Sequence, residues 1–547
     1  MLGLDGATFD LLMPWVREGK LPHLKRILSS SAYGELNSTI PCTTPVAWST
    51  VFTGKNAGKH SIYDFRESFH RNQKRPLISL KSIQGATLWH IFSHFGKRSV
   101  LLNVPLTYPP EPLNGVMVSG MMTPDENVDY TFPLQLKKEI SARFPNYRIN
   151  IDISKYDTRF HQDALSFLEE VEKSFSTRRD LLFYLMENER WDFLFAVFVL
   201  PDRIQHLFWK YIDPKNDSFR SSKAGKEIYE RIVSLYSMED KFLGEIYDNL
   251  APQDYLFIIS DHGFGGTDAY INVNTLLQNW GYLKVKHKAI SKKAFFKLWR
   301  FGESKPIAKL MPDNIQRLIR KTIRKRRSSF RSEIEELVDY GRTKAFFGSI
   351  PSQGIYINIE RDKRGIPKNR SKYDIIRNDI KNRLLEIIDP SDGKRVIDTV
   401  YFAEELFYGD FVKWAPDIIF IARNYSYLGR QHIGLSENIS YYFNEPNGFH
   451  RREGIFIAVG PDIESKNINS DLNLQDIAPT VLYALGHPIP IDMDGETITE
   501  IFNSKRLDIE EIKKIEKINF NDGWNNIYSD EEAERIYSRL RSLGYIE

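Results

Sequence analysis

The sequence predicts an α/β protein built around a mostly parallel sheet, and three observations carry the prediction. Several apolar runs are short and unbroken, among them Tyr255–Ile259, Phe193–Leu200 and Gly454–Gly460; unbroken runs of this length mark strands covered on both faces. Stretches of helical period separate them, so that strand and helix alternate along the chain. Four strand ends or the loops beside them finish in acid, hydroxyl or imidazole side chains, and open α/β sheets place their ligands beyond the carboxyl ends of their strands.

Taken in order, Leu2–Asp5 is a strand stub, and Gly6-Ala7-Thr8 turns it toward a helix over 21–30, which leaves Asp5 at a carboxyl strand end. Ile40–Gly54 (IPCTTPVAWSTVFTG) reads as a loop entering a helix, with Thr44 as N-cap, Pro45 at the first helical position and Gly54 as the stop. Thr43 then faces the positive end of a helix dipole, where free N–H groups can hold an anion. Taken by itself, the Thr pair reads more readily as a cap without chemistry. Lys97–Asn103 is a further strand, followed by a proline-rich loop, and 163–187 has helical period.

Phe193–Leu200 runs into Pro201-Asp202 and a helix, DRIQHLFWKY, in which the spacing of four puts Asp202 and His206 on one face, able to share an ion. Tyr255–Ile259 ends at Asp261-His262 and a turn rich in glycine (Gly263, Gly265, Gly266). Tyr270–Asn274 leads through a helix to Gly281. The composition then shifts, because 285–331 is densely basic with Ile315, Leu318, Ile319 and Ile323 at helical spacing. A solvated basic helix of an insertion is the default reading. Strand-like text returns at GIYINI, followed by a polar helix over 371–388 and a strand over 416–422; Gly448-Phe449-His450 precedes Gly454–Gly460. The expected division is a core of 1–284 and 335–505, a basic helical insertion or cap over 285–334, and a carboxyl-terminal linker with a peripheral helix over 506–547.

Length alone, 547 residues, suggests three or four domains. Residues from Asp5 to His450 that must meet at one site argue instead for one large domain with insertions. Seventy-five Lys and Arg against 72 Asp and Glu leave +3, too balanced for nucleic acid as a specific partner. The single cysteine, Cys42, excludes an internal disulfide and fits a reducing compartment. No apolar run approaches a membrane span, and no signal peptide fits ahead of Asp5, so a cytoplasmic location is expected if the chain starts where it is written.

Collected, the strand ends offer Asp5, Thr43, Asp202, His206, Asp261, His262 and His450. Oxygen and imidazole ligands without thiolate suit zinc, manganese or iron, and seven groups are about right for two ions that clamp both oxygens of an in-line phosphoryl displacement. At LGLDGA, PCTTPVAWSTVFTGKNAGKHSIYDF, PDRIQHLFW, SDHGFGG, GFHRREGIFIAVGP and LQDIAPTVLYALGHPIPIDMDG, spanning nearly the whole chain, the sequence resembles the alkaline phosphatase superfamily, in its branch of type I phosphodiesterases and nucleotide pyrophosphatases. The resemblance implies a three-layer α/β/α sandwich and a metal-dependent phosphohydrolase. It implies that Thr43 is the nucleophile, that Asp5, Asp261 and His262 with the Thr43 oxygen hold one divalent ion, and that Asp202, His206 and His450 hold the other. Both ions are usually zinc in this superfamily, with manganese in phosphomutase relatives. His60, in KNAGKHS, also matches a family position and is read as structural; Asn272, Asn274 and Thr44 are weaker candidates for touching substrate.

Three other readings stand beside this one. A sulfatase uses a modified cysteine or serine two residues before the proline, where this chain has Thr43, and usually an arginine soon after, where it has Val46-Ala47-Trp48. A phosphomutase or phosphoryl transferase would use the same metal residues. An inactive member would bind anionic surfaces, a peripheral membrane face included, through its basic insertion. The expected substrate is a phosphoester of a small molecule, glycan or lipid head group.

Overall fold

Phe193–Phe198 is apolar at every position and becomes a strand buried at every position, and Leu2–Leu4, Ser99–Leu102 and Leu256–Ile259 are likewise buried throughout. In the computed structural model, which describes residues 1–71, 74–286, 337–362, 365–434, 437–441, 448–518 and 527–545, these strands form the middle of one ten-stranded sheet. Its strands are β1 (Leu2–Leu4), β2 (Ala32–Asn37), β3 (Ser99–Leu102), β4 (Gly115–Val118), β5 (Thr131–Phe132), β6 (Phe193–Phe198), β7 (Leu256–Ile259), β8 (Glu453–Val459), β9 (Lys466–Asn467) and β10 (Leu472–Asn473). The order across the sheet is β9-β2-β8-β7-β1-β6-β3-β4-β5, with β10 also paired to β2.

The sheet is mostly parallel, as expected. β1 pairs in parallel with both β6 and β7, and β3 with both β6 and β4. Strand β8 is the exception at the centre, antiparallel to β2 and to β7, with Phe456 opposite Ile259. An antiparallel strand has its amino end where its neighbours have their carboxyl ends. β8 therefore brings His450, three residues before it, to the edge where Asp261 and Asp5 follow β7 and β1.

Helices cover both faces. A Cβ on Gly3 would lie 2.4 Å from Trp48, so the helix Thr44–Thr53 presses on β1 from one side, and Phe195 of β6 meets Trp48 on that side at 5.7 Å. Leu4 shares a small cavity with Leu12, Leu24 and Leu243 on the other side, where Phe198 packs on Phe175 and Phe242 at 5.2 and 4.7 Å. Alternation along β6 thus feeds two apolar layers, which is why the run shows no polar face.

A second apolar cluster, distinct from the first, gathers residues of 269–285 and 338–441. It is built on an antiparallel sheet of Ala345–Phe347, Gly354–Ile357, Ile418–Ala422 and Ile397–Phe402 under the helix Arg370–Leu385. Most of the basic stretch expected over 285–334 lies outside the described residues. Its flanks meet, since Val285 bridges to Val338 and the Lys286 N–H donates to the Leu337 carbonyl at 2.9 Å. Among the described residues no helix is long and apolar enough to cross a membrane.

The helix Asp530–Ser542 lies against the body by one face. It starts on a capping box of Ser529 and Glu532 and buries Ile536 and Leu540, one turn apart on the face turned to the body. Beyond it, Tyr545 is fully buried.

Candidate metal centre

The candidate side chains stand beyond the ends of central strands or on the helices beside them. The Asp5 N–H donates to the Phe198 carbonyl at 2.9 Å and the Asp202 N–H to the Asp5 carbonyl at 3.0 Å, which ties the ends of β1 and β6 together. Gly6, at φ +72°, turns the chain so that its N–H reaches Asp261 Oδ1 at 3.2 Å. A Cβ there would collide with the Phe264 ring at 2.9 Å. Asp202 and His206 lie on the helix Leu200–Ile212 directly after β6, His206 Nε2 standing 3.1 Å from Asp202 Oδ1.

The seven expected residues are all buried, and the six acids and imidazoles among them converge. Asp5, Asp261 and His262 form one group, and Asp202, His262 and His450 another, with ligand atoms inside each group within 4.8 Å of one another. His262 Nε2 lies 3.3 Å from Asp261 Oδ2 and 3.7 Å from Asp5 Oδ1. His450 Nε2 lies 3.1 Å from His206 Nε2 and 3.6 Å from Asp202 Oδ1. The two outer imidazoles are oriented from behind: His262 Nδ1 is 3.1 Å from the Gly263 carbonyl and His450 Nδ1 2.9 Å from the Cys42 carbonyl. A carbonyl only accepts, so both Nδ1 atoms carry the proton and both Nε2 lone pairs face the cluster. The two rings stack with centroids 3.5 Å apart.

The electrostatics are those of a site awaiting positive charge. Burial, with the charge of Asp202 added, pushes Asp5 up to about 8. Burial, with Asp5 and Asp202, drives Asp261 well above the usual carboxylate range. For Asp202, burial is outweighed by His206 and by the ion pair with Arg203, and its carboxyl is held well below that range. Burial pushes His450 down to about 4 and, with His450 beside it, His262 well below its ordinary value. Asp5 Oδ1, Asp261 Oδ2 and Thr43 Oγ1 are buried with no hydrogen-bond partner. Orphaned oxygens cost free energy unless something else satisfies them. A hard or borderline cation bound by oxygen and imidazole fits this donor set.

Thr43, and not Thr44, is the N-cap, which corrects the sequence reading by one residue. The Thr43 carbonyl accepts from the Ala47 N–H at 2.9 Å, so the helix already includes Thr44 and Pro45 takes its second position. The Thr43 hydroxyl makes no capping bond. Thr44 Oγ1 faces His262 Nε2 at 3.4 Å instead. Cys42 is buried, and burial pushes its thiol up to about 12. His60 lies away from this chemistry, hydrogen-bonded to Thr50 Oγ1 at 3.1 Å and accepting the Ile62 N–H at 3.2 Å. The Asn272 amide donates to the Glu437 carbonyl and Ser440 Oγ, and the Asn274 amide to the Gln431 carbonyl while it accepts the Phe347 N–H.

Three residues absent from the sequence reading complete the surroundings. Trp48 Nε1 donates to Asp5 Oδ2 at 3.1 Å, and Arg203 pairs with Asp202; both sit inside stretches already singled out, where helical spacing could have placed them. Tyr545 Oη lies 3.0 Å from Asp202 Oδ1 and 2.9 Å from His206 Nε2, and no spacing or motif announces it.

No curated protein matches the chain in sequence. Among solved structures it is similar to phosphonoacetate hydrolase from Sinorhizobium meliloti 1021 in complex with phosphonoacetate, at 14% identity over 88% of this chain and 94% of that one, with a TM-score of 0.50. Human ectonucleotide pyrophosphatase / phosphodiesterase 5 is similar at 13% identity over 92% and 99%, TM-score 0.47, and alkaline phosphatase PafA at 13% over 92% and 98%, TM-score 0.45. The family description type I phosphodiesterase / nucleotide pyrophosphatase matches residues 1–434. With most of its length so matched, the chain belongs to the type I phosphodiesterase / nucleotide pyrophosphatase family.

Proposed function

We propose that the protein hydrolyses phosphodiester or nucleotide pyrophosphate bonds with Thr43 as nucleophile, and that two divalent ions, zinc in the first instance, are held by Asp5, Thr43, Asp261 and His262 and by Asp202, His206 and His450. The observation that carries this reading is the buried Thr43 hydroxyl at the mouth of a helix, free of any capping bond, between Cys42 and Thr44, which touch His450 and His262 of the cluster. Bound divalent ions would acidify the Thr43 hydroxyl and offset the charge of the phosphoryl group.

The remaining work falls to the chain itself. The carbonyls of Gly263 and Cys42 fix the tautomers of His262 and His450, so that each Nε2 lone pair stays aimed inward. Trp48 holds Asp5 by its second oxygen. The Thr44 and Val46 N–H groups of the helix Thr44–Thr53, which have no partner within the helix, would face an anion bound at Thr43. Their fixed positions would support the equatorial oxygens of a loose transition state. Thr43 takes the phosphoryl group and the alcohol or nucleotide leaves; water then attacks the phosphothreonine.

The test is a release assay across phosphate mono- and diesters with metal-reconstituted protein. Diester or pyrophosphate turnover is expected to exceed monoester turnover. Two in-line displacements give net retention at a chiral phosphorus, and inversion would show that water attacks directly with Thr43 as a mere ligand.

A further inference from the structure

The Tyr545 phenol does not sit in the core as an ordinary buried tyrosine does. Its ring packs on Phe65 with centroids 4.9 Å apart, and its oxygen lies among three atoms: Asp202 Oδ1 at 3.0 Å, His206 Nε2 at 2.9 Å and His450 Nε2 at 3.3 Å. Those three stand 3.1, 3.1 and 3.6 Å from one another. All six separations among the four atoms thus fall between 2.9 and 3.6 Å, and four points with six near-equal separations form a tetrahedron. Zinc bonds of about 2.0–2.2 Å in a tetrahedral site require ligand-to-ligand edges of roughly 3.3–3.6 Å. The phenol completes that figure to within a few tenths of an ångström.

Proton counting points the same way. A phenol has one O–H to donate. It faces the Asp202 carboxylate, the His450 Nε2 lone pair and His206 Nε2 and can donate to only one of them. A single cation inside the tetrahedron would meet all four atoms at once.

Resting on the two-ion reading above, we infer that Tyr545 is the fourth ligand of the ion held by Asp202, His206 and His450, delivered by the helix Asp530–Ser542, and that it closes that ion to substrate. The phenol gives its proton to solvent on binding and regains it when substrate displaces the oxygen. Catalytic zinc sites keep one position open, whereas closed four-ligand sites are structural. A chain holding its own ligand in the open position must release it at each productive encounter, and apparent substrate affinity is lowered by the fraction of time the position is filled.

The experiment uses the full chain and Tyr545→Phe, which removes only the oxygen and keeps the ring on Phe65. Metal-free protein is titrated with zinc against a chromophoric chelator, and the ultraviolet difference spectrum of a metal-bound phenolate is recorded in parallel. Bis(p-nitrophenyl) phosphate serves as the soluble probe for KM. The wild type is expected to show the phenolate signal as the second ion enters. In Tyr545→Phe the signal is absent, the second ion binds about tenfold more weakly, and KM for the probe falls severalfold. The inference is overturned if the wild type binds both ions without the signal, or if the variant matches it in zinc affinity or in KM. A chain that binds fewer than two zinc ions at saturation fails earlier, and takes the two-ion reading down with it.

Discussion

At the scale of single residues, the one-position difference at Thr43 carries the chemistry. A cap whose hydroxyl bonds back to the helix has its lone pairs in use; the Thr43 hydroxyl makes no such bond. Thr43→Ala should lower turnover by a factor on the order of 10³ or more with zinc content kept, while Thr44→Ala and Cys42→Ser lose a modest part of the rate. Equal rates for Thr43→Ala and wild type, measured with metal content alongside, would remove Thr43 from the mechanism. His60 gives a prediction of another kind. Burial pushes it down to about 3, below its unfolded value of about 6.5, so the unfolded chain takes up the proton first as pH falls. Its contribution to stability is complete above pH 6.5 and drains away toward pH 3. Urea midpoints of the metal-free protein and of His60→Asn, followed from pH 7 to 4, should show a shallower acid loss in the variant. Position in the sequence showed that Thr43 and Thr44 stand at a helix entrance, but not which is the cap. That is decided by which carbonyl meets the Ala47 N–H, a matter of backbone angles that either threonine could have adopted.

At the scale of elements, the motif KNAGKHS is a clamp. Lys55 pairs with Asp492 at 2.5 Å, and Asp494 accepts the Asn56 N–H and amide at 2.8 Å each and also pairs with Lys59. This holds the far end of the Thr43 helix to the loop that carries IDMDG. Asp494→Ala leaves those donors without an acceptor and should cost about 1–3 kcal/mol, read as a lower urea midpoint with zinc stoichiometry unchanged. Loss of turnover with no change in stability would instead place the clamp in the chemistry. Strands β1, β3, β6, β7 and β8 were legible because unbroken apolar runs have few alternatives, whereas β2, whose burial alternates with exposure, was not singled out. The direction of β8 was not legible, since GIFIAVG reads the same for either orientation, and only its pairing with β2 and β7 turns His450 toward the cluster. The helix Asp530–Ser542 was legible as a helix, yet its destination was not. A capped stretch with two apolar residues per face says that it packs, not where, and the tyrosine that follows it carries no period at all.

For the whole molecule, two zinc ions per chain are expected by elemental analysis of loaded protein, and Asp261→Ala should bind one fewer and lose activity. Full activity in that variant would sink the site. The basic stretch gives a second expectation: since Val285 and Val338 are bridged, removing 287–334 with a short joining loop should keep folding and metal content and weaken use of anionic substrate, more at low salt than at high. Loss of all folding would make the stretch part of the core. The order of the sheet has a consequence for how the protein is made. Among the described residues β2 pairs only with β8, β9 and β10, so a strand completed at Asn37 has none of these neighbours until synthesis reaches Glu453. Through that interval its edges are open to other nascent chains, the circumstance in which strand edges recruit wrong partners. A ribosome stalled before Glu453 would carry a half-sheet of β1, β3, β4, β5, β6 and β7 and an unpaired β2, and dependence on a chaperone during synthesis should end abruptly once β8 has emerged.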